Sequence, residues 1–209
     1  MVGPLAFMGA EGASKKLYEY LSKFLPESGT VLDLGCGIGE WLKFVKQIGL
    51  EGFGIELDKT LVNHCVSRGL KVSNRDLIEY LENNIEKKFD VISAVHLVEH
   101  FEPYRVEKII SLMSKSLSRH GVLILVTPNF SDLKVSREIF WLDPTHVRPY
   151  PLPLLVEICK SNDLSIVEQK TTGMIKIGLK EKFIYPLNLI RFGSQYGKMN
   201  AILVARKSI

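Results

Sequence analysis

The chain has few cysteines and none of the patterns that define membrane or secreted proteins. Its 209 residues include three cysteines, Cys36, Cys65 and Cys159, which lie far apart and match no metal-binding spacing. An odd number of separated thiols is typical of a reducing compartment, so we expect a cytoplasmic protein. No apolar run approaches the roughly 20 residues of a membrane-spanning helix, and the N-terminus lacks a secretory signal pattern. The net charge of +4 is too small to indicate a nucleic-acid partner.

The composition is that of one folded domain. Hydrophobic residues make up 46% and charged residues 24%, and no repeat, low-complexity segment or linker divides the chain. The length is sufficient for a sizeable core. We therefore expect a single domain over residues 1–209. Within it we expect an N-terminal arm and helix (1–29), a long loop (128–153), and a basic and apolar insertion (174–198).

Residues 30–41 have the pattern of a strand, a glycine turn and a helix. The apolar run Val31–Leu34 is followed by three alternating glycines, Gly35, Gly37 and Gly39. Such a turn brings a nucleotide-like ligand against bare backbone at a helix N-terminus. Dinucleotide-binding folds share this feature, but Asp33 would repel a pyrophosphate. A cationic sulfonium with an amino-acid tail tolerates that carboxylate, so the pattern favours a sulfonium nucleoside.

An acidic residue ends the next predicted strand, Gly52–Glu56. Glu56 lies about 20 residues beyond the glycines, where a carboxylate can accept hydrogen bonds from both ribose hydroxyls. Asp58 follows closely and competes for this role. We instead interpret Asp58 as the N-cap of a helix over Lys59–Arg68.

Two histidines and a glutamate follow the fourth predicted strand, Phe89–Val95. His96, Glu99 and His100 should line the ligand pocket, because ligands bind beyond the carboxyl ends of parallel strands. No metal is predicted, since the spacing is not that of a zinc protease helix and no third ligand is evident. Each histidine could be catalytic, packed beside the nucleoside, or simply solvated.

A proline-rich connection follows the fifth predicted strand, Val122–Val126, whose preceding helix is expected to end at Gly121. Prolines at positions 144, 149, 151 and 153 exclude a helix there. The polar residues of this connection predict an acceptor-binding wall with His146 as general base. Alternatively, Asp143 and Arg148 only tie the loop to the body. A helix (Leu154–Ser161) and two strands (Leu164–Lys170 and Asn200–Lys207) complete the predicted elements.

The chain resembles the class I S-adenosylmethionine (SAM)-dependent methyltransferases. The resemblance rests on four segments: Leu32–Leu42, Ala94–His100, Thr127–Asn129 and Phe140–His146. Within that class it is most similar to the group found with bacterial surface-polysaccharide (O-antigen) glycosyltransferases, although relatives there often carry an arginine in place of Ile38. The resemblance implies an α/β, Rossmann-like fold. Its seven-stranded, mostly parallel sheet would have the order 3-2-1-4-5-7-6, with an antiparallel C-terminal strand and helices on both faces.

The resemblance also implies roles for individual residues, with SAM as the cofactor and S-adenosylhomocysteine as its product. Cofactor contacts are expected from Asp33, Gly35, Cys36, Gly37, Gly39, Glu56, Leu57, Asp76, Leu77, Ala94 and His96. Asp76 would accept the adenine amino group and the Leu77 amide would meet a ring nitrogen, although Asp76 could also cap a helix. The catalytic candidates are His146, then His100 and His96, and the substrate-binding candidates are Asp143, Arg148 and Tyr150.

The activity implied is methyl transfer to an oxygen of a small-molecule or glycan (saccharide) acceptor. A hydroxyl acceptor needs a base, whereas an anionic one would instead be held by Arg148. A quinone or lipid-precursor methyltransferase, or a non-catalytic SAM-binding scaffold, remain alternatives. Nucleic acid is disfavoured, because no Asn/Asp-Pro-Pro-Tyr motif follows the fourth strand. The segment 174–198 could contact a membrane surface or a partner protein, or cover the core, in a monomer or homodimer.

Overall fold

A computed structural model describes residues 11–174 and 197–208. The α-helices are α1 (Glu11–Leu21), α2 (Glu40–Gln47), α3 (Lys59–Ser67), α4 (Leu77–Asn83), α5 (Pro103–Ser116) and α6 (Leu152–Lys160). The strands are β1 (Thr30–Leu34), β2 (Glu51–Glu56), β3 (Val72–Asn74), β4 (Phe89–Val95), β5 (Leu117–Pro128), β6 (Leu164–Met174) and β7 (Lys198–Lys207). Strands and helices alternate through β5, as a parallel sheet with helical crossovers requires.

The seven strands form one sheet in the order β3-β2-β1-β4-β5-β7-β6, which confirms the predicted fold. Strands β1 to β5 pair in parallel, whereas β7 pairs antiparallel to both β5 and β6. The chain runs outward from β1 to β3 and then returns to place β4 on the other side of β1. Ligands bind at such a reversal point, beyond the carboxyl ends of the two central strands.

The strands are apolar on both sides because helices cover both faces of the sheet. In β5, Leu123 and Leu125 belong to the core under α4, α5 and α6, while Ile124 and Val126 belong to the core under α1 and α2. This alternation follows from the two-residue period of a strand. It leaves the carboxyl edge of the sheet, rather than either face, as the surface open to a ligand.

Several element boundaries differ from the sequence-based expectations. The N-terminal helix, expected over Ser14–Leu25 after an arm, begins at Glu11 and gives way to a 3₁₀ turn over Ser22–Phe24. Strand β5 begins at Leu117, inside the helix that was expected to end at Gly121, because Leu117 pairs with Phe89 of β4. Apolar spacing alone does not distinguish the last turn of a helix from the first residues of a buried strand.

The proline-rich connection contains two short helical turns that were not predicted, over Val135–Ile139 and Phe140–Leu142. The side chain of Asp132 begins the first of them by accepting hydrogen bonds from the Lys134 and Val135 amides. The prolines do exclude a helix over 143–151. Helix α6 nevertheless begins at Leu152 rather than Leu154, since a proline in the first helical turn gives up no hydrogen bond.

Most of the predicted basic and apolar insertion, residues 175–196, lies outside the described residues, so its membrane or partner contact stays a prediction. Within the described ranges, no helix has the length and apolar character needed to cross a bilayer.

Candidate active site

The glycine turn and the segment after β4 meet at the carboxyl edge of the sheet. Strands β1 and β4 are neighbours, with Leu34 opposite Ala94, so the residues after each strand leave the sheet side by side. A Cβ atom added to Gly35 would lie 2.5 Å from Leu97 Cδ1. The turn therefore packs directly on the residues that follow β4, and this contact requires glycine.

Gly37 and Gly39 serve the turn differently, although both have positive φ angles of 55° and 78°. A Cβ on Gly39 would lie 2.5 Å from Leu70 Cδ1, so Gly39 allows the turn to pack against the body. A Cβ on Gly37 would meet nothing within 4 Å. The backbone at Gly37 thus faces open space, as a turn that receives a ligand should.

Glu56 ends β2 beside this open backbone. Its carboxylate accepts hydrogen bonds from the amides of Gly37 (2.9 Å) and Asp58 (2.9 Å), one on each oxygen. Each carboxylate oxygen has two lone pairs, so both oxygens can still accept from a vicinal diol. Asn74, to which the sequence assigned no role, supports this strand end by donating to the carbonyl oxygens of Glu56 and Leu57. These contacts fit a ribose-binding carboxylate.

Asp33 is buried beneath the turn and is not exposed on its surface. Its side chain is 2% exposed, and its Oδ1 accepts a hydrogen bond of 2.7 Å from the Ser93 hydroxyl. Ser93 in turn accepts one from the Trp41 indole. Burial raises the pKa of Asp33 to about 7, the hydrogen bond from Ser93 opposes the rise, and the charge of Glu56 adds to it. A ligand cation near Asp33 would favour its ionised form.

The other predicted cofactor residues lie around this turn in different environments. Leu57, with 69% of its surface exposed, offers an apolar side chain beside Glu56. Cys36 is half-buried, and burial raises the pKa of its thiol. Ala94 is in the core, so only its backbone can face the site. The side chain of Leu77 is likewise buried.

Two predicted helix caps are present. The Asp58 carboxylate accepts hydrogen bonds from the Thr60 and Leu61 amides and so caps α3, as predicted. Asp76 caps α4 with Oδ1, while its Oδ2 lies 3.7 Å from Arg105 Nη2. Asp76 therefore caps a helix, which was one of the two roles expected for it. The other role, acceptance of a hydrogen bond from the adenine amino group, stays a prediction.

Glu99 is the centre of a polar cluster on the other side of the site. It is fully buried, and its carboxylate accepts from the Thr127 hydroxyl (3.2 Å) and lies 3.2 Å from His96 Nδ1. Its backbone carbonyl accepts hydrogen bonds from the amides of Val147 and Arg148. Glu99 thus joins β4, β5 and the proline-rich loop.

The predicted acceptor loop is tied to this cluster through His100. The Thr145 hydroxyl lies 2.9 Å from His100 Nδ1 and donates to Asp143 Oδ1 at 2.6 Å. Burial tends to raise the pKa of Asp143, but the hydrogen bonds from Thr145 outweigh it and lower the pKa. Asp143 therefore stabilises the loop from within, and its substrate-binding role stays a prediction.

His146 packs against His100, with 4.8 Å between ring centroids, and 4.4 Å from the ring of Phe140. The sequence showed no further metal ligand beside His96, Glu99 and His100. In the structure, Glu99, His100 and His146 each offer one potential ligand atom within 4.8 Å of the other two. His146 therefore supplies the third potential ligand that the sequence did not show, and the prediction of no metal stays untested.

The last two substrate candidates differ in accessibility. Tyr150 is buried and its hydroxyl donates to the Phe101 carbonyl at 2.7 Å, so it anchors the loop instead of facing a ligand. The Arg148 guanidinium lies over the Tyr150 ring, 5.3 Å from its centroid, and is partly exposed. Among these residues, the structure leaves Arg148 available to a ligand.

Comparisons with known proteins identify the family and the fold of the chain. A family model for a methyltransferase domain matches residues 9–169. A SAM-dependent methyltransferase from Archaeoglobus fulgidus has a TM-score of 0.79 and 23% identity, covering 92% of this chain and 94% of that chain. Magnesium protoporphyrin IX methyltransferase from Synechocystis PCC 6803 with bound SAM has a TM-score of 0.63 and 16% identity, and the match covers 94% of this chain and 80% of that chain. A SAM-dependent methyltransferase from Mesorhizobium loti has a TM-score of 0.65 and 14% identity, and the match covers 94% of this chain and 99% of that chain. No curated protein matches the chain.

Proposed function

The chain belongs to the methyltransferase-domain family, and from this premise we propose that it transfers a methyl group from SAM to an oxygen of a small-molecule or glycan acceptor. SAM supplies an electrophilic methyl group on a sulfonium, which is already a good leaving group. The protein then has to bind the two reactants, align them and exclude water from them. The open backbone at Gly37 and the carboxylates of Glu56 and Asp33 support SAM as the cofactor.

The observation that carries the oxygen acceptor is the contact between His96 and Glu99. A carboxylate only accepts hydrogen bonds, so we assign the proton of a neutral His96 to Nδ1 and the lone pair to Nε2. The His96 side chain is 42% exposed at the end of β4, and within the described residues its Nε2 makes no hydrogen bond. Such an imidazole can accept the proton that a hydroxyl loses when its oxygen bonds to the methyl carbon and the sulfur–carbon bond breaks.

His146, the first candidate from the sequence, suits this role less well. Its side chain is only 10% exposed, and its Nδ1 lies 2.6 Å from the Phe140 carbonyl oxygen. His100 is bound to Thr145 in the loop. We assign both residues to the wall of the acceptor pocket. We therefore propose His96 as the general base.

An exposed tryptophan supports a saccharide as the acceptor. Trp141 is 57% exposed, yet its indole N–H donates to the Ser136 carbonyl and its ring contacts Phe140 edge-on at 5.0 Å. A fixed indole offers a flat apolar face on which the C–H groups of a sugar ring can pack. Together with the resemblance to methyltransferases of surface-polysaccharide synthesis, this favours glycan precursors over quinone or lipid precursors.

The test is methyl transfer from labelled SAM to glycan precursors by wild type and His96→Asn. We expect the variant to lower kcat by about 100-fold or more while SAM affinity stays within about twofold, because a positioned base contributes 10²–10⁴-fold. Asparagine is chosen because His96 has a φ of 54°, which asparagine tolerates.

The matched control is His120→Asn, since His120 also has a positive φ, of 66°, but lies in an exposed bend of β5 near the opposite edge of the sheet. Its turnover should equal that of wild type. Unchanged turnover in His96→Asn would show that His96 is not the general base. SAM binding by wild type without methyl transfer to any glycan, lipid or quinone fraction would favour the non-catalytic scaffold.

A further inference from the structure

We propose that Glu99, His100 and His146 form a binding site for one divalent transition-metal ion, with zinc as the first choice. One ligand atom of each lies within 4.8 Å of the others. Glu99 and His100 belong to the 3₁₀ turn after β4, while His146 belongs to the loop before α6. Two imidazoles and a carboxylate are a donor set that zinc accepts, with a fourth position left for water or substrate.

The hydrogen bonds of His100 leave its Nε2 available to a metal. The Thr145 hydroxyl donates its only proton to Asp143, so toward His100 Nδ1 it can only accept. The Thr145 carbonyl oxygen, 3.2 Å from the same nitrogen, also only accepts. The proton of a neutral His100 must therefore be on Nδ1, which leaves the lone pair on Nε2.

The same argument applies to His146. Its Nδ1 lies 2.6 Å from the Phe140 carbonyl oxygen, which fixes the proton on Nδ1 and the lone pair on Nε2. Histidines that bind metals through one nitrogen typically donate the other N–H to a carbonyl or carboxylate, which fixes the ring orientation. Both imidazoles have this arrangement before any metal is bound.

The buried carboxylate of Glu99 supplies a second, independent reason for a cation. It is 0% exposed, and within the described residues its ion-pair partner is the imidazole of His96, with no lysine or arginine. Buried charges are normally paired or bound to metals, because their desolvation is costly. Asp143 Oδ2, 3.9 Å from His146 Nε2, adds further negative charge. The cluster thus has surplus acceptors and an unbalanced charge.

Binding requires only a small rearrangement. Zinc–ligand distances of about 2.0–2.2 Å place the ligand atoms of a tetrahedral site roughly 3.3–3.5 Å apart. The three ligand atoms would have to approach one another by up to about 1.5 Å. If the proposed function holds, the open position of the ion faces the acceptor side of the site. That role rests on the proposed function, whereas metal binding does not.

The experiment is a zinc titration of the full chain, prepared without an affinity tag and stripped with a chelator, in the absence of SAM and acceptor. Calorimetry should show one high-affinity zinc per chain, and His100→Ala/His146→Ala should weaken binding by at least about 100-fold. The control His64→Ala/His120→Asn removes the same number of histidines outside the cluster and should bind as wild type does. Cobalt(II) in place of zinc should give visible absorption from nitrogen and oxygen ligands.

Absence of zinc uptake by wild type would overturn the site. Equal uptake by wild type and His100→Ala/His146→Ala would also overturn it, and a cobalt–thiolate absorption would then identify cysteines as the ligands. Glu99→Gln should weaken zinc binding as well. If this buried substitution prevents folding, the histidine variants alone test the metal site. Zinc binding without methyl transfer counts against the proposed function alone, and methyl transfer without zinc binding counts against the metal site alone.

Discussion

At the scale of single residues, we expect Asp33 to connect cofactor binding to proton exchange. Burial raises its pKa from the usual 3.8 to about 7, so the folded protein binds a proton that the unfolded chain has already lost between these values. Stability contributed by this group is fully present below pH 3.8 and is lost as the pH rises through 7. A bound cation beside Asp33 would reverse that loss by favouring the carboxylate.

We therefore predict that SAM binding near pH 7 releases up to about half a proton from Asp33. Calorimetry in two buffers of different ionisation enthalpy measures this release as a difference in apparent binding enthalpy. S-adenosylhomocysteine lacks the sulfonium charge and should release less. Asp33→Asn should abolish the release, and equal apparent enthalpies for wild type in both buffers would contradict the coupling.

At the scale of elements, the opposite edge of the sheet is held together by Asp90 at the start of β4. Its Oδ2 accepts hydrogen bonds from the amide (2.9 Å) and hydroxyl (3.2 Å) of Thr30 in β1, and its Oδ1 accepts from the hydroxyl of Ser118 in β5 (3.0 Å). The Thr30 amide is the largest of the effects that lower the pKa of Asp90. A lowered pKa contributes stability above the usual value, and that stability is lost as the pH falls through the folded value.

Asp90→Asn should accordingly lower the free energy of unfolding by about 1–2 kcal/mol at pH 7, since partial exposure keeps each lost charge-assisted bond near the lower end of its usual contribution. The difference from wild type, measured by denaturant titration, should shrink as the pH falls below 4. SAM affinity should stay within about twofold, because Asp90 is at the edge away from the glycine turn. A pH-independent difference would show that shape rather than charge matters at this position.

Local signals predicted most elements, and non-local pairing accounts for the different start of β5. The cap of α3 by Asp58 involves residues two and three positions away, so the sequence showed it. The start of β5 depends on pairing between Phe89 and Leu117, which no local pattern reveals. In the site, the positions of Glu56 and His96 followed from parallel topology. The hydrogen-bond partners of the site residues could not be predicted in this way. Contacts such as Glu99–Thr127 and His100–Thr145 join residues that are 28 and 45 positions apart in the chain.

At the scale of the whole molecule, the proposed cofactor site lies across the centre of the sheet. Glu56 at the end of β2 bonds to Gly37 after β1, and Cys65 of α3 donates through its thiol to the Gly37 carbonyl. Leu97 after β4 packs on Gly35. A ligand seated against this turn therefore contacts groups from several strands at once. Because it binds only when those strands are assembled, its binding free energy adds to the stability of the fold.

Thermal unfolding with and without SAM tests this coupling. A ligand at 100 times its Kd adds about 2.7 kcal/mol, and a chain of this size gains about 2–4 °C in Tm per kcal/mol, so we expect a rise of roughly 5–10 °C. Glu56→Ala should abolish most of the rise at the same SAM concentration, because it removes the acceptor for the ribose hydroxyls. Its own Tm without SAM should fall little, since the carboxylate is partly exposed and the amides of Gly37 and Asp58 can turn to water. A full SAM-induced rise in Glu56→Ala would mean that the ribose lies elsewhere, and no rise in wild type would refute the cofactor assignment itself.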